Sequence, residues 1–507
     1  MSSIKQDTIF YDHHQHVNDL RQVPSDEEKH AALDRFATNV PLIDEPLDED
    51  PEFTYKEQRK IIHRIDRRLI LATGLMYCVS GLDRGNLPNA AIAGMTKDLE
   101  LNVGYRYSIV ALVFFITYAL SQPPATILTR ILGPRIFLPA LCCSWGIVMI
   151  GFGFPKVWTP LVPLRLLLGL FEAGMFPGSV YVISTWYSRY DQQKRFAAFF
   201  IFTMLTSGCG GILAVGLEQM DGLGGYAGWR WLFIMEGILT VVIGVIGYVL
   251  MIDFPDRAIK GKHWHFLKEN EILFIMRRIK KDRNDGEAEP WNFRKWLSAG
   301  ADPKVWSFAL IFFALTTSGY ALSYFLPSLL RENMGFTINE SQMLTAPQHV
   351  FAAILLALFA WVGDKYHIRG PMLLVNAAMG LTGCALVGYS QAVGARFFGT
   401  FLICGGSSGA IPTCVAYQAN NIRGQWKRAF TSATLVGFGA LGGIAGSLVF
   451  RTQDKPDYKP GIWACMACNG LIAVLVCVNT WHFRRENARA DRGEKILEGE
   501  PSFRYTI

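Results

Sequence analysis

Two stretches place ionisable side chains inside otherwise apolar sequence. In Arg165-Leu-Leu-Leu-Gly-Leu-Phe-Glu172, within a run from Trp158 to Trp186, an arginine and a glutamate stand seven residues apart. Two helical turns bring them to one face, ~10 Å apart along the axis. In Val79-Ser-Gly-Leu-Asp-Arg-Gly-Asn-Leu-Pro-Asn-Ala90, Asp83 and Arg84 interrupt a second apolar run. An ionisable group deep in a membrane-spanning helix costs about 2.5–3.5 kcal/mol on insertion scales, so it faces a partner or a watery cavity. A carboxylate in a dry site with an unstable partner carries protons, because desolvation and a nearby arginine push its pKa in opposite directions. An arginine without a permanent partner binds an anion, best a carboxylate held by the planar fork. The four charges could instead only join helices as buried ion pairs, but their number weighs against that.

Whether these side chains meet depends on the elements that carry them. The chain has 507 residues, 51% hydrophobic, 13% aromatic and 18% charged, which is too apolar for an ordinary soluble protein. Twelve apolar segments cover 69–92, 107–129, 134–154, 158–186, 196–217, 230–252, 304–330, 345–363, 371–391, 394–418, 429–450 and 461–482. Each is near the ~20 residues a helix needs to cross a ~30 Å hydrocarbon layer. The predicted fold class is all-α integral membrane, with twelve transmembrane helices in two pseudo-symmetric six-helix bundles. An even number of spans puts both termini on one side. Arg64, Arg67, Arg68, Arg189, Lys194, Arg195, Lys365, Arg369, Arg423, Lys427, Arg428, Arg484 and Arg485 all fall on that side, which the positive-inside rule makes cytoplasmic. Arg451, Lys455 and Lys459 lie opposite, so the bias is a majority one.

A polar stretch of about fifty residues divides the spans six and six. The predicted organisation is a largely disordered cytoplasmic tail over 1–68, a bundle over 69–253, a cytoplasmic linker over 254–303, a second bundle over 304–483 and a cytoplasmic tail over 484–507. The halves echo each other at a nearly constant interval: Gly133-Pro134 with Gly370-Pro371, and Lys194-Arg195-Phe196-Ala197 with Lys427-Arg428-Ala429-Phe430. A duplicated six-helix unit leaves such a trace, and two-half architectures place a substrate site near the midplane between the halves.

Counting helical rise from the start of the first span puts Asp83 ~9 Å below the outer surface, and counting from Trp158 puts Arg165 ~10 Å below it. The two are predicted to pair, with Glu172 deeper near the midplane and Arg84 on a neighbouring face. From the second half, Tyr320, Tyr324 and Phe325 offer stacking surfaces, and Gln348, His349, Asn376, Gln418, Asn420 and Asn421 are polar candidates. Each of these polar residues, taken alone, also fits a helix–helix hydrogen bond. Glu236, after Gly228-Trp-Arg-Trp-Leu-Phe-Ile-Met235, suits a cap or brace of its hairpin. All ten cysteines fall inside predicted spans, which argues against a disulfide framework, and Cys465-Met-Ala-Cys468 reads as packing. His13, His14 and His16 sit in a polar tail and are read as solvated, leaving no metal site. The net charge of +7 serves mainly orientation, and no basic, aromatic stripe points to nucleic acid.

The chain resembles the major facilitator superfamily and, within it, the anion:cation symporters of the fungal allantoate permease branch, which includes vitamin and nicotinate transporters. The resemblance rests on GLDRGNLPNA (81–90), RLLLGLFEAGMFPG (165–178), YVISTWYSRYDQQKRFAAFF (181–200), GWRWLFIMEG (228–237) and NNIRGQWKRAF (420–430). It implies proton coupling at Asp83 and Glu172, a substrate-carboxylate ligand at Arg84, and Arg165 as the partner of the first-span acid. The superfamily's loop pattern is degraded: Arg130 stands at its Asp position, and Asp364-Lys365 follow Ala360 where Gly would stand. Arg130, Asp364, Lys365 and Glu236 are therefore gating or structural candidates.

The expected function is import of a small organic anion, a flat or short monocarboxylate, with protons by alternating access. The seventh span, TTSGYALSYFLPSLL (316–330), is similar to that of nicotinate-type relatives. Export by proton exchange is the alternative, although the Gly-Pro pair of drug exchangers is missing from TMLTSGCGGILAVG (203–216). A non-transporting nutrient receptor is the other, although such proteins carry long signalling extensions. No paired metal ligands, nucleophile motif or phosphate loop marks an enzyme. The expected partners are an organic anion, protons and lipid; no cofactor beyond the proton gradient is expected, and the protein is expected as a monomer in the plasma membrane.

Overall fold

A computed structural model describes residues 53–507 apart from 188, 260–266, 284–292, 367, 424, 455–456, 500 and 502. The histidines of the tail and the side chain of Asp364 lie outside the described residues. In chain order the long helices are Leu71–Ala90, Arg106–Leu132, Pro134–Gly151, the pair Leu161–Glu172 and Met175–Trp186, Arg189–Glu218 and Gly228–Leu250 in the first half. The second half has Pro303–Ser328, Thr345–Tyr366, Gly370–Tyr389, Val393–Asn421, Gln425–Val449 and Lys459–Asp491. They are numbered here as spans one to twelve. Eleven are long and apolar enough to cross a membrane. The exception is the first, whose Asp83, Arg84, Asn86 and Asn89 dilute an otherwise spanning helix. It keeps its place by packing against the fifth, sixth and seventh spans.

The duplication seen in the sequence returns as packing. In the first half, span one packs on five and six, two on four, and three on four and six; in the second half, seven packs on eleven and twelve, eight on ten, and nine on ten and twelve. Across the halves, one meets seven, while two with eleven and five with eight form a pair related by the same exchange. Glycines allow the closest approaches. At Gly169 a Cβ would strike the Phe114 carbonyl and the Thr117 hydroxyl, so spans two and four touch backbone to backbone.

The ends differ from expectation. Residues expected in a disordered tail form a helix, Tyr55–Ile65, which runs into the first span. A reciprocal Thr54–Glu57 capping box starts it, and its buried Ile61 and Ile65 hold it down. Arg64 is ion-paired to Glu271 on the linker helix Glu269–Arg283. Residues 497–507 fold back onto the second half: Leu497 and Tyr505 are buried, and Tyr505 stacks on Phe483 of span twelve at 4.7 Å. The Arg369 N–H donates to the Ile507 carbonyl (3.0 Å) and Asn421 Nδ2 to the Thr506 carbonyl (3.1 Å). Glu498 meets Lys304, at the start of span seven, and Lys427 of span eleven (2.9 Å). Burial alone would raise the Glu498 carboxyl, but the two ammonium groups outweigh it and hold it below the usual range. The side bearing this tail and the linker is called the linker side below, and the opposite one the far side.

Candidate functional site

The first span divides two charged neighbours between two environments. Successive helical residues point about 100° apart, so Arg84 faces the middle of the protein and Asp83 faces the interior of the first half. Arg84 meets Glu172 through Nε (2.8 Å) and Nη2 (2.7 Å). The same carboxylate oxygen accepts from the Ser80 hydroxyl at 2.5 Å. Ser80 stands one turn before Arg84, on the same helix face. Arg84 also donates to Tyr118 (3.3 Å) and, from the second half, to Tyr320 (3.4 Å). Its side chain keeps 24% exposure against 2% for Glu172, so the cluster opens to solvent on the arginine.

Asp83 does not pair with Arg165. Its carboxylate accepts from Trp145 Nε1 (3.0 Å) and from Thr240 (3.4 Å), on spans three and six. Arg165, 2% exposed, has no ion pair with any described carboxylate; its guanidinium lies over the Phe152 ring, 5.3 Å from the centroid. Cα depths put the two at one level, but helical side chains lean toward their own N-terminus. Spans one and four run in opposite directions. Arg84 therefore reaches down to the level of Glu172, and Arg165 reaches toward the far side, where Tyr107 and Tyr324 lie within electrostatic range. Glu172 closes the first segment of the fourth span, just before the break at Gly174.

The second half contributes aromatic groups. Tyr320 and Tyr324 stack at 6.4 Å, Phe115 stands edge-on to Tyr320 at 4.7 Å, and the Tyr324 carbonyl accepts from Tyr107 (3.2 Å). Phe325 is buried against Tyr107 and Phe450. The polar candidates do not join the cluster. Asn376 donates to the Met372 carbonyl of its own helix (2.9 Å), Gln348 donates to Thr400 (3.0 Å), and the His349 ring meets the Thr345 carbonyl (2.8 Å). Gln418 is buried near the linker-side end of span ten with no hydrogen bond to Arg84 or its partners. Asn421 instead holds the folded-back tail, while Asn420 is exposed.

Arg130 meets Asp256 (3.1 Å) and lies over Phe254, while Arg257 donates to the Arg130 and Ile131 carbonyls. This ties the end of span two to the segment after span six. Lys365 lies over the Trp361 and Tyr366 rings. Glu236 is 1% exposed and faces Asn86 of span one, with no other hydrogen-bond partner among the described groups. Sequence reasoning missed Ser80, Tyr118, Trp145 and Thr240. Helical spacing from Arg84 would have found Ser80; the other three stand on separate helices with no local signal.

Twelve long helices among the described residues, in two like halves with an arginine–carboxylate cluster where they meet, are the build of a membrane transporter. The family model of the Major Facilitator Superfamily matches residues 73–447, and the chain belongs to that superfamily. It is 28% identical to the MFS-type transporter cnsO of Penicillium expansum over 460 residues, 89% of this chain and 88% of that one. It is also 28% identical to the high-affinity nicotinic acid transporter of Saccharomyces cerevisiae over 492 residues, 94% of this chain and 90% of that one. Among solved structures, a bacterial homolog of the human lysosomal transporter Spinster, in an inward-facing and occupied conformation, aligns with TM-score 0.61 at 14% identity, covering 82% of this chain and 97% of that one. The partially occluded inward-open xylose transporter XylE from E. coli aligns with TM-score 0.60 at 15% identity, covering 82% and 98%. Fold and relatives are those of transporters, not enzymes. The chain is an integral membrane protein that handles a small molecule.

Proposed function

We propose that this protein is a proton-coupled carrier of a small organic monocarboxylate, nicotinate-like in shape, within the anion:cation symporter branch of the superfamily. The observation that carries the reading is Arg165, buried with no ion-pair partner among the described residues, two helical turns from Glu172 on the same span. Tyr324 is within electrostatic reach of both guanidiniums. One carboxylate for two cations leaves a site that an anion completes. Glu172 occupies the position on the Arg84 fork that a substrate carboxylate would take. Protonation of Glu172 frees the fork, and the substrate carboxylate replaces it, so proton and anion enter together without adding net charge. Tyr118, Tyr320 and Tyr324 supply flat surfaces for a planar substrate, and the nicotinic acid relative supports that class.

In this reading the bundles over 69–253 and 304–483 rock about the site, and the proton gradient is the only other requirement. Arg130 and Lys365 steady the linker-side loops. Asn376 and Gln418 shape the second-half wall at a distance. The protein works as a monomer in the plasma membrane with both termini cytoplasmic. The test is uptake of labelled nicotinate, pantothenate, biotin, allantoate and aliphatic carboxylates in a strain lacking its own carriers, with and without an imposed pH gradient. Accumulation of one carboxylate that collapses when the gradient is dissipated is expected. Transport of a neutral or cationic compound alone, or accumulation indifferent to the gradient, would overturn the reading.

A further inference from the structure

The first half contains a second acidic site, separate from Arg84 and Glu172, between spans one, three and six. Asp83 and Asn86 lie one turn apart on span one, and Thr240 and Glu236 one turn apart on the antiparallel span six. The Thr240 hydroxyl donates to Asp83 (3.4 Å), which sets the register and brings Asn86 opposite Glu236. Span three closes the site with Trp145 on Asp83 and with Cys142, whose thiol meets the Thr240 carbonyl at 3.5 Å. Gly146 and Gly237 let spans three and six approach to backbone contact beside it.

The polar inventory of this site does not balance. One oxygen of Asp83 is buried without a hydrogen-bond partner, and Glu236 and Asn86 face each other with no further hydrogen-bond partner among the described groups. Asn86 is 1% exposed and faces Glu236. No described cation is ion-paired to either acid. Arg165 reaches Asp83 only through longer-range electrostatics, and Glu172 adds a like charge from the same fourth span. From the fifth span, Glu218 is bonded to Gln342 and Cys209 is exposed. Two carboxylates so placed cannot both be ionised in a dry interior, because each would carry an unpaid desolvation cost as well as their mutual repulsion.

We infer that Asp83 and Glu236 hold one proton between them, with the Asn86 amide as its third polar neighbour, so that Glu236 is a positioning and proton-sharing partner of the first-span acid. The inference rests on the proton-coupled reading for its role in transport, but not for its existence. Two carboxylates sharing a proton titrate as a unit. Removing either changes the behaviour of the other.

The test uses the full chain in liposomes and two readouts. The first is pH-titrated infrared difference spectroscopy, with no substrate present. The carbonyl band of a protonated carboxylic acid is expected at neutral pH, and it is expected to shift when only glutamate is isotopically labelled, because the proton is shared with Glu236. In Glu236→Gln the glutamate-sensitive band is lost, which assigns it to Glu236 and not to Glu172, and Asp83 titrates as a single group; a band retained in Glu236→Gln would overturn the inference. The absence of the band at neutral pH, or a band indifferent to the glutamate label, would overturn the inference, and both are read on the unmutated protein. So would displacement of the band by sodium but not by potassium at constant pH, which would make the site a sodium site. The second readout is nicotinate uptake under an imposed pH gradient. If the unmutated protein shows the shared band but no gradient-driven uptake, the transport reading fails and the shared site stands. If uptake is gradient-driven and the unmutated protein lacks the glutamate-sensitive band, the shared site fails and the transport reading stands.

Discussion

Glu172→Gln separates coupling from binding. In the parent protein the carboxylate holds Arg84 through Nε and Nη2 on one oxygen, with Ser80 as a third donor. A substrate carboxylate must displace it unless it is protonated. A hydrogen bond to a charged group contributes about 1.5–3 kcal/mol, and the partial exposure of Arg84 puts this contact at the low end, about 1.5 kcal/mol. Glutamine keeps the shape and can still accept from Ser80 and Arg84, but as a neutral acceptor it competes more weakly for the guanidinium than the carboxylate does. The variant is therefore expected to bind nicotinate about tenfold more tightly than the parent. Gradient-driven accumulation collapses while exchange of internal for external substrate continues, since exchange needs no deprotonation. Scintillation-proximity binding, with counterflow on the same reconstituted protein, measures both. Parental affinity for nicotinate, or accumulation at the parental level, would refute the competition between Glu172 and substrate.

Arg165→Lys keeps the charge and loses the fork, so expression should hold while apparent affinity for a carboxylate falls about ten- to a hundredfold; unchanged uptake kinetics would remove Arg165 from the site. Gly169→Val drives a side chain into the Phe114 carbonyl and Thr117, costing about 1–3 kcal/mol or more, and a melting temperature equal to the parent's would contradict backbone contact between spans two and four. Because Glu498 has a folded pKa below its ordinary value, its contribution is present above about 4.3 and is lost as pH falls through the lowered value. Proteolysis within 492–507 should accelerate on acidification, and Glu498→Gln should show that acceleration already at neutral pH; equal protection in both proteins would rule out Glu498 as the fastening group. Asn339 is exposed at the start of a short far-side helix, so Asn339→Cys should react with an impermeant thiol reagent in intact cells, whereas reaction only after permeabilisation would reverse the topology.

Much of the molecule is set by features that act locally or by period. Apolar segments of spanning length force helices, because only a helix satisfies its backbone within one segment in lipid. The repeated Gly-Pro and Lys-Arg signals announce the duplication that the packing of spans one to six and seven to twelve then displays. The rarity of charge in an apolar run was enough to single out Asp83, Arg84, Arg165 and Glu172, since each would otherwise bear the cost of burial alone.

Which of those charges meet was left to tertiary structure. Depth along a helix is a property of Cα positions, but contact is decided by the lean of side chains on antiparallel helices, which turns Arg84 toward Glu172 and Arg165 toward Phe152. What Glu236 meets depends on what spans one and three present to it, and its own neighbours in sequence carry no information about Asp83, Asn86 or Trp145. The folded-back tail is of the same kind: Glu498 and Tyr505 find Lys304, Lys427 and Phe483 far along the chain. Sequence determined which residues had to be inside and that they needed partners, because burial energy is a property of each side chain. The choice of partner belonged to the assembled helices, because pairing energy exists only between groups that packing has brought within reach.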